Sequence, residues 1–385
     1  MKKMNTRIAR WILIPFILTS CTSAAGLNNS EIEQPAVTVT AEENSFPPSA
    51  AGQNETSPEA AWSTDPYPLQ IEVMREQTYT SSPITIEQTL DPGVNYNRYV
   101  VSYLSEGFKI YALMTVPFGN PPDTGWPVII FNHGYINPPD YRTTENYVSY
   151  MDMIARNGYI VFKSDYRGHG YSEGPIVGGG YGSPGYTADV LNAMESLKNY
   201  EGVDPNRFGM WGHSMGGQVT LRAMVVSDEI KAGVIWAGAI APYAEIISQW
   251  NFAGQRRESD DFLSNILPDR DESNSTVQGW GQSFGGWVEE FTTIYGTSDQ
   301  NPEFWETISP NSYLADLSGP IQIHHGTADW MVPLEWSEGF IQKMEDANMP
   351  YEFYTYEGDG HNISGNYREA MLRTVAFFDQ YVKGN

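Results

Sequence analysis

A chain of 385 residues with 13% aromatic side chains is long enough to bury a sizeable core, and its composition excludes a wholly disordered protein. Against 47 acidic residues stand only 22 basic ones, a net charge of −25, and a surface this acidic repels phosphate backbones and excludes nucleic acid as an expected partner. Cys21 is the only cysteine, so an internal disulfide is excluded and the fold must rest on its core.

The N-terminus reads as a targeting segment. Lys2, Lys3, Arg7 and Arg10 make a positive start, with no acid before Glu31. The apolar stretch from Trp11 to Leu18 is too short to span a bilayer and is interrupted by Pro15. It ends in Leu18-Thr19-Ser20-Cys21, which resembles a bacterial lipoprotein signal. That resemblance implies a signal peptide over residues 1–20 and lipidation of Cys21. The protein is then expected to be exported and anchored on the outer (periplasmic or extracellular) side of a bacterial membrane. An ordinary secretory signal with an incidental cysteine is the alternative. Residues 21–66 are rich in Ser, Thr, Pro, Asn, Glu and Ala and read as a disordered tether, leaving 67–385 as the folded domain.

Within the domain, Asn97 to Tyr103 and Lys109 to Val116 flank Glu106-Gly107, a pattern that predicts a β-hairpin. Short apolar runs then predict buried strands at Val128–Phe131, Tyr159–Phe162, Arg207–Trp211, Ala232–Trp236 and Ile321–His324, with another at Tyr351–Tyr356. Helical stretches are expected around residues 143–157, 185–200, 215–227, 335–348 and 366–382. Such alternation predicts an α/β fold with a mostly parallel sheet covered on both faces. Pro242 to about Ser309 breaks the rhythm and reads as an insertion near the active site, expected to be helical and holding Trp250, Trp280, Trp287 and Trp305; plain surface decoration is the alternative.

Three serines sit in Gly-x-Ser-x-Gly: Ser172, Ser214 and Ser283. The motif therefore decides nothing, and context must. An exposed nucleophile needs a strand, a sharp turn and a helix whose free N–H groups face the developing negative charge. Only Ser214 has all three. Pro175 and Gly178-Gly179-Gly180 forbid a helix after Ser172, and polar residues stand where a strand should precede Ser283.

Of the six histidines, His361 in Gly358-Asp359-Gly360-His361-Asn362 lies in a loop between a strand and the last helix, where an imidazole can reach a serine and then a leaving group. His324 and His325 end a strand and are expected to pack or make structural hydrogen bonds. Asp329, just past that strand, is the candidate acid; Asp359, Glu245 and Asp316 are its rivals. The order Ser214, Asp329, His361 suits α/β-hydrolases. Oxyanion donors are expected from the N–H groups of Met215 and Tyr135. A Gly-x-G-x-x-Gly match at 180–185 does not follow a strand, and no Gly-Lys-Ser/Thr phosphate loop or His-Glu-x-x-His motif occurs, so no cofactor or metal is implied.

Gly212-His213-Ser214-Met215-Gly216-Gly217, His325-Gly326-Thr327-Ala328-Asp329 with Val332-Pro333, and Gly360-His361-Asn362 resemble the α/β-hydrolase superfamily, in particular the prolyl oligopeptidase (S9-type) catalytic domain and dienelactone-hydrolase-like esterases. The resemblance runs from about residue 97 to the C-terminus. It implies the α/β-hydrolase fold and a serine hydrolase acting on a small peptide or ester. The folded residues ahead of the hydrolase strands are too few for the family's β-propeller, so none is expected. His133 stands in the loop where those peptidases carry an oxyanion tyrosine. An esterase of small esters, and a binding lipoprotein that keeps the fold without its chemistry, are the alternatives.

Overall fold

A computed structural model describes residues 68–255 and 286–384. The expected signal segment, Cys21, the expected tether, Trp280 and Ser283 lie outside the described residues, as does the side chain of Trp250.

The hairpin forms as the pattern requires. Strand β2 (Tyr96–Ser105) pairs antiparallel with β3 (Phe108–Pro117), closing at Ser105 opposite Phe108. Both turn residues have positive φ, Glu106 at 50° and Gly107 at 87°, the twist that suits a two-residue hairpin. Strand β1 (Thr85–Leu90) pairs antiparallel outside β2. Sequence pattern did not flag it, because Thr-Ile-Glu-Gln-Thr-Leu is mostly exposed and carries no apolar run. The short helix α1 (Ile71–Arg75) was likewise unforeseen.

Six parallel strands follow: β4 (Trp126–Asn132), β5 (Ile160–Ser164), β6 (Val203–His213), β7 (Ile230–Trp236), β8 (Ile321–Gly326) and β9 (Tyr351–Tyr356). The sheet order is β1-β2-β3-β5-β4-β6-β7-β8-β9, with β3 antiparallel to β5. After β4 the chain moves to one side, to β5. After β6 it moves to the other, to β7. The carboxyl ends of the adjacent β4 and β6 therefore form a topological switch point, where open α/β sheets open a crevice.

Side chains alternate between two cores. Val128, Ile130 and Met210 face one, with α3 (Gly185–Lys198) and α4 (Met215–Val226) packed over them through Leu191, Met194, Val219 and Leu221. Ile129, Phe131 and Trp211 face the other, covered by α2 (Val148–Ala155) and α9 (Tyr367–Phe378) through Met151, Ile154, Met371 and Phe378. Burial on both faces is why these strands read as unbroken apolar runs.

Two helices differ from expectation. The one expected from 143 begins only at Val148, because Asn146 and Tyr147 take positive φ (52° and 55°) and cannot continue a helical turn. The last one ends at Phe378, and Asp379–Lys383 loosen into a wider π-type turn. The 242–309 region is helical where described: α5 (Tyr243–Gln255), α6 (residues 286–295) and α7 (Pro302–Ile308). Trp287 and Trp305 are buried against Phe291, at ring separations of 4.9 Å and 5.4 Å. Helix α8 (Leu334–Asp346) links β8 to β9, and no helix among the described residues is long and apolar enough to cross a membrane.

Candidate active site

Ser214 is the one residue between β6 and α4, at φ 54° and ψ −119°. A non-glycine residue there is strained, typically by about 1–3 kcal/mol, and the surrounding contacts must hold it. They do so from three sides. Its N–H donates to the Trp236 carbonyl at 2.9 Å, and its own carbonyl accepts from Gly217 (2.9 Å) and Ala239 (3.1 Å). The flanking glycines permit the bend: a Cβ on Gly212 would lie 2.2 Å from the Gly216 carbonyl oxygen, and one on Gly216 would lie 2.0 Å from that of Asn132. Met215 is the first residue of α4, so its N–H has no acceptor within the helix.

Of the two rival serines, Ser172 does not share this setting. Ser172 is buried in a loop with no helix behind it, and its hydroxyl accepts the Tyr111 N–H at 2.9 Å. Ser283 lies outside the described residues.

Asp329 and His361 are hydrogen-bonded. The Nδ1–H of His361 donates to Asp329 Oδ2 at 2.7 Å. The other carboxylate oxygen accepts the N–H groups of Met331 (2.9 Å) and Val332 (3.0 Å). Burial by itself would raise the Asp329 carboxyl. Hydrogen bonds from His325 and His361, the nearby imidazole and the Val332 amide outweigh it and hold the group well below the usual carboxylate range. His325 was expected to serve packing or a structural bond, and it does more than that. Its Nε2 lies 3.3 Å from Asp329 Oδ2 and 3.0 Å from the Val332 carbonyl, while Nδ1 meets Ser337 Oγ at 2.7 Å. It braces the same carboxylate oxygen that His361 meets. His324 does make the expected structural bonds, to Tyr356 Oη and Gln322 Oε1, both 2.7 Å.

None of the rival acids reaches the imidazole. The Asp359 carboxylate accepts the N–H groups of Gly365 (2.7 Å) and Asn366 (2.9 Å) and shapes the loop that presents His361. Asp316 pairs with Arg75, and Glu245 is exposed on α5. The acid and histidine loops are stitched together where the Ala328 N–H donates to the Asp359 carbonyl at 2.9 Å.

The histidine loop also meets the serine turn. His213, the residue before Ser214, has its Nε2 at 3.0 Å from the His361 carbonyl, and the two rings lie 4.5 Å apart. From the other side comes the loop after β4. A Cβ on Gly134 would lie 3.2 Å from Ser214 Cβ, so that loop runs directly beside the serine. The Gly134 N–H donates to Tyr147 Oη at 3.0 Å, and the half-buried Tyr135 follows it in the chain. His133 is buried, stacked between Tyr141 and Tyr166 at 4.7 Å and 4.3 Å. Tyr147 was absent from the sequence-based candidates. Its Oη meets His213 Nδ1 at 2.8 Å across 66 residues of chain, a separation at which no local pattern signals a contact. Among the described residues no group of three or more His, Cys, Asp or Glu side chains is placed to hold a metal ion.

Known proteins resemble much of the chain. The uncharacterized peptidase YuxL of Bacillus subtilis is 26% identical over 293 residues, which is 73% of this chain and 39% of that protein. Two further curated relatives are likewise covered only in part, over 51% and 28% of their lengths. Among solved structures, acylaminoacyl peptidase from Pyrococcus horikoshii superposes with a TM-score of 0.55 at 20% identity, covering 76% of this chain and 42% of that one. Acetyl xylan esterase from Paenibacillus sp. R4 superposes with a TM-score of 0.56 at 17% identity, covering 81% and 92%. Residues 127–365, from β4 to the loop beyond His361, match the alpha/beta hydrolase fold, and the chain belongs to that family.

Proposed function

We propose that the protein is a serine hydrolase that cleaves a peptide or ester bond through an acyl-enzyme on Ser214. The observation that carries this reading is the Asp329–His361 hydrogen bond of 2.7 Å on a loop fastened to the serine's own turn. In this mechanism the Ser214 hydroxyl attacks the substrate carbonyl carbon while His361 Nε2 takes its proton. His361 keeps its Nδ1 hydrogen and donates it to Asp329, whose depressed carboxyl remains ionised and stabilises the imidazolium. The N–H groups of Met215 and Tyr135 are assigned to the oxyanion, each such donor being worth on the order of 10²–10³ in turnover. His361 then protonates the leaving group, the acyl-enzyme forms, and water reverses the sequence to release the acid.

An S9-type peptidase is the first substrate reading, supported by the motifs around Ser214, Asp329 and His361 and by the peptidases among the similar proteins. A small-ester hydrolase is the second. One observation favours it: the superposition covers 92% of the esterase from Paenibacillus sp. R4 but 42% of the acylaminoacyl peptidase. Export and a lipid anchor at Cys21 complete the proposal, and small substrates and the membrane are its partners.

A fluorophosphonate probe is expected to label the purified protein at Ser214, and Ser214→Ala is expected to abolish labelling. Labelling that survives the substitution contradicts Ser214 as the nucleophile, and none in the folded wild-type protein favours a binding lipoprotein. Parallel rates on p-nitrophenyl esters and dipeptide p-nitroanilides then decide between ester and peptide.

A further inference from the structure

We infer that Tyr147 and His213 are positioning residues that lock the oxyanion loop and the His361 loop to each other. This rests on the reading of Ser214, Asp329 and His361 as the catalytic set.

Hydrogen-bond polarity runs one way along the chain of contacts. The His361 carbonyl can only accept, so His213 Nε2 carries the hydrogen across the 3.0 Å contact. Nδ1 is then an acceptor and takes the Tyr147 hydroxyl hydrogen at 2.8 Å. The Tyr147 oxygen in turn accepts the Gly134 N–H at 3.0 Å. Gly134 lies beside Ser214 and precedes Tyr135, whose N–H is assigned to the oxyanion, and His361 is the proposed base, so the relay joins the two loops that carry these groups. It requires a neutral His213, since a protonated ring would aim a second donor at Tyr147. Burial first, and then the neighbouring His361, push the His213 imidazole down to about 3. Burial likewise raises the Tyr147 phenol far above its ordinary value, so its hydrogen stays in place.

The backbone supports the same role. Asn146 and Tyr147 both adopt positive φ immediately before α2, a backbone conformation that a tyrosine rarely takes. The ring then packs against Phe131 (5.6 Å) and Trp211 (6.2 Å). Tyr147→Phe keeps that packing and removes only the hydroxyl.

The test compares wild type, Tyr147→Phe, His213→Gln and the double variant by the rate constant of fluorophosphonate labelling, and by kcat and KM on p-nitrophenyl butyrate per labelled site. Loosening the loops is expected to slow labelling and kcat about 10- to 100-fold in each single variant, with KM within about twofold. The double variant is expected within about threefold of the slower single, because the two residues act as one unit. Single variants within about twofold of wild type, or losses that multiply in the double, overturn the relay. A purely structural role lowers the urea midpoint while leaving the rate per labelled site unchanged, and that result also overturns it. Absence of labelling in the wild-type protein overturns the catalytic reading instead, and the relay with it.

Discussion

Four of the six histidines show what burial does to single residues in this fold. His133, His169, His213 and His324 are all buried, and in each case burial is the largest cause of a lowered pKa, to about 4 for His169 and about 3 for His213 and His324. In the unfolded chain the same groups titrate near the ordinary value of about 6.5. Between that value and the folded ones the unfolded state binds protons that the folded state does not. The stability is therefore full above about pH 6.5 and is lost as pH falls through the window, by up to about 1.4 kcal/mol per pH unit for each histidine. The urea midpoint is expected to fall steadily from pH 7 to pH 4.5, and the slope to shrink by about one proton in His324→Gln. A flat midpoint over this range contradicts the assignment. Asp329 acts lower on the scale. Its carboxyl is depressed, so its contribution is present above the ordinary carboxylate range and is lost only as pH falls below it.

At the scale of elements, the site depends on how closely α4 approaches β4. Asn132, the last residue of β4, donates from Nδ2 to Thr220 Oγ1 at 2.9 Å, and the Thr220 hydroxyl donates to the Gly216 carbonyl at 2.9 Å. All of these groups are buried. Thr220→Val keeps the shape but leaves the Asn132 amide without that oxygen, at an expected cost of about 1–3 kcal/mol. Urea unfolding measures it; a loss under about 0.5 kcal/mol would show that the amide finds another partner. The elements themselves were largely legible in the sequence. The strand at Tyr351–Tyr356 has the expected bounds, and the buried strands lie where apolar runs predict them. What escaped was β1, whose edge position leaves few apolar residues to read, and the late start of α2, which depends on two backbone angles that Asn146 and Tyr147 do not advertise.

For the whole molecule, the proposed anchor ties catalysis to a place. If Cys21 carries lipid, Cys21→Ala expressed in a bacterial host should move the protein from the membrane fraction to the soluble one while the fluorophosphonate labelling rate stays unchanged. Membrane association that persists in the variant contradicts the anchor. The sequence by itself determined the fold class and the candidate residues Ser214, Asp329 and His361. Those signals are local: a strand, a turn and a helix within some twenty residues, or a carboxylate just past a strand end. Tertiary structure alone decided how the site is held. The bracing of Asp329 by His325, the exclusion of Asp359 and the path from Gly134 through Tyr147 and His213 to His361 depend on hydrogen-bond directions at neighbouring strand ends. The two His213 bonds span 66 and 148 residues of chain. Periodicity carries no information over such separations, because only the packing of the sheet brings those strand ends together.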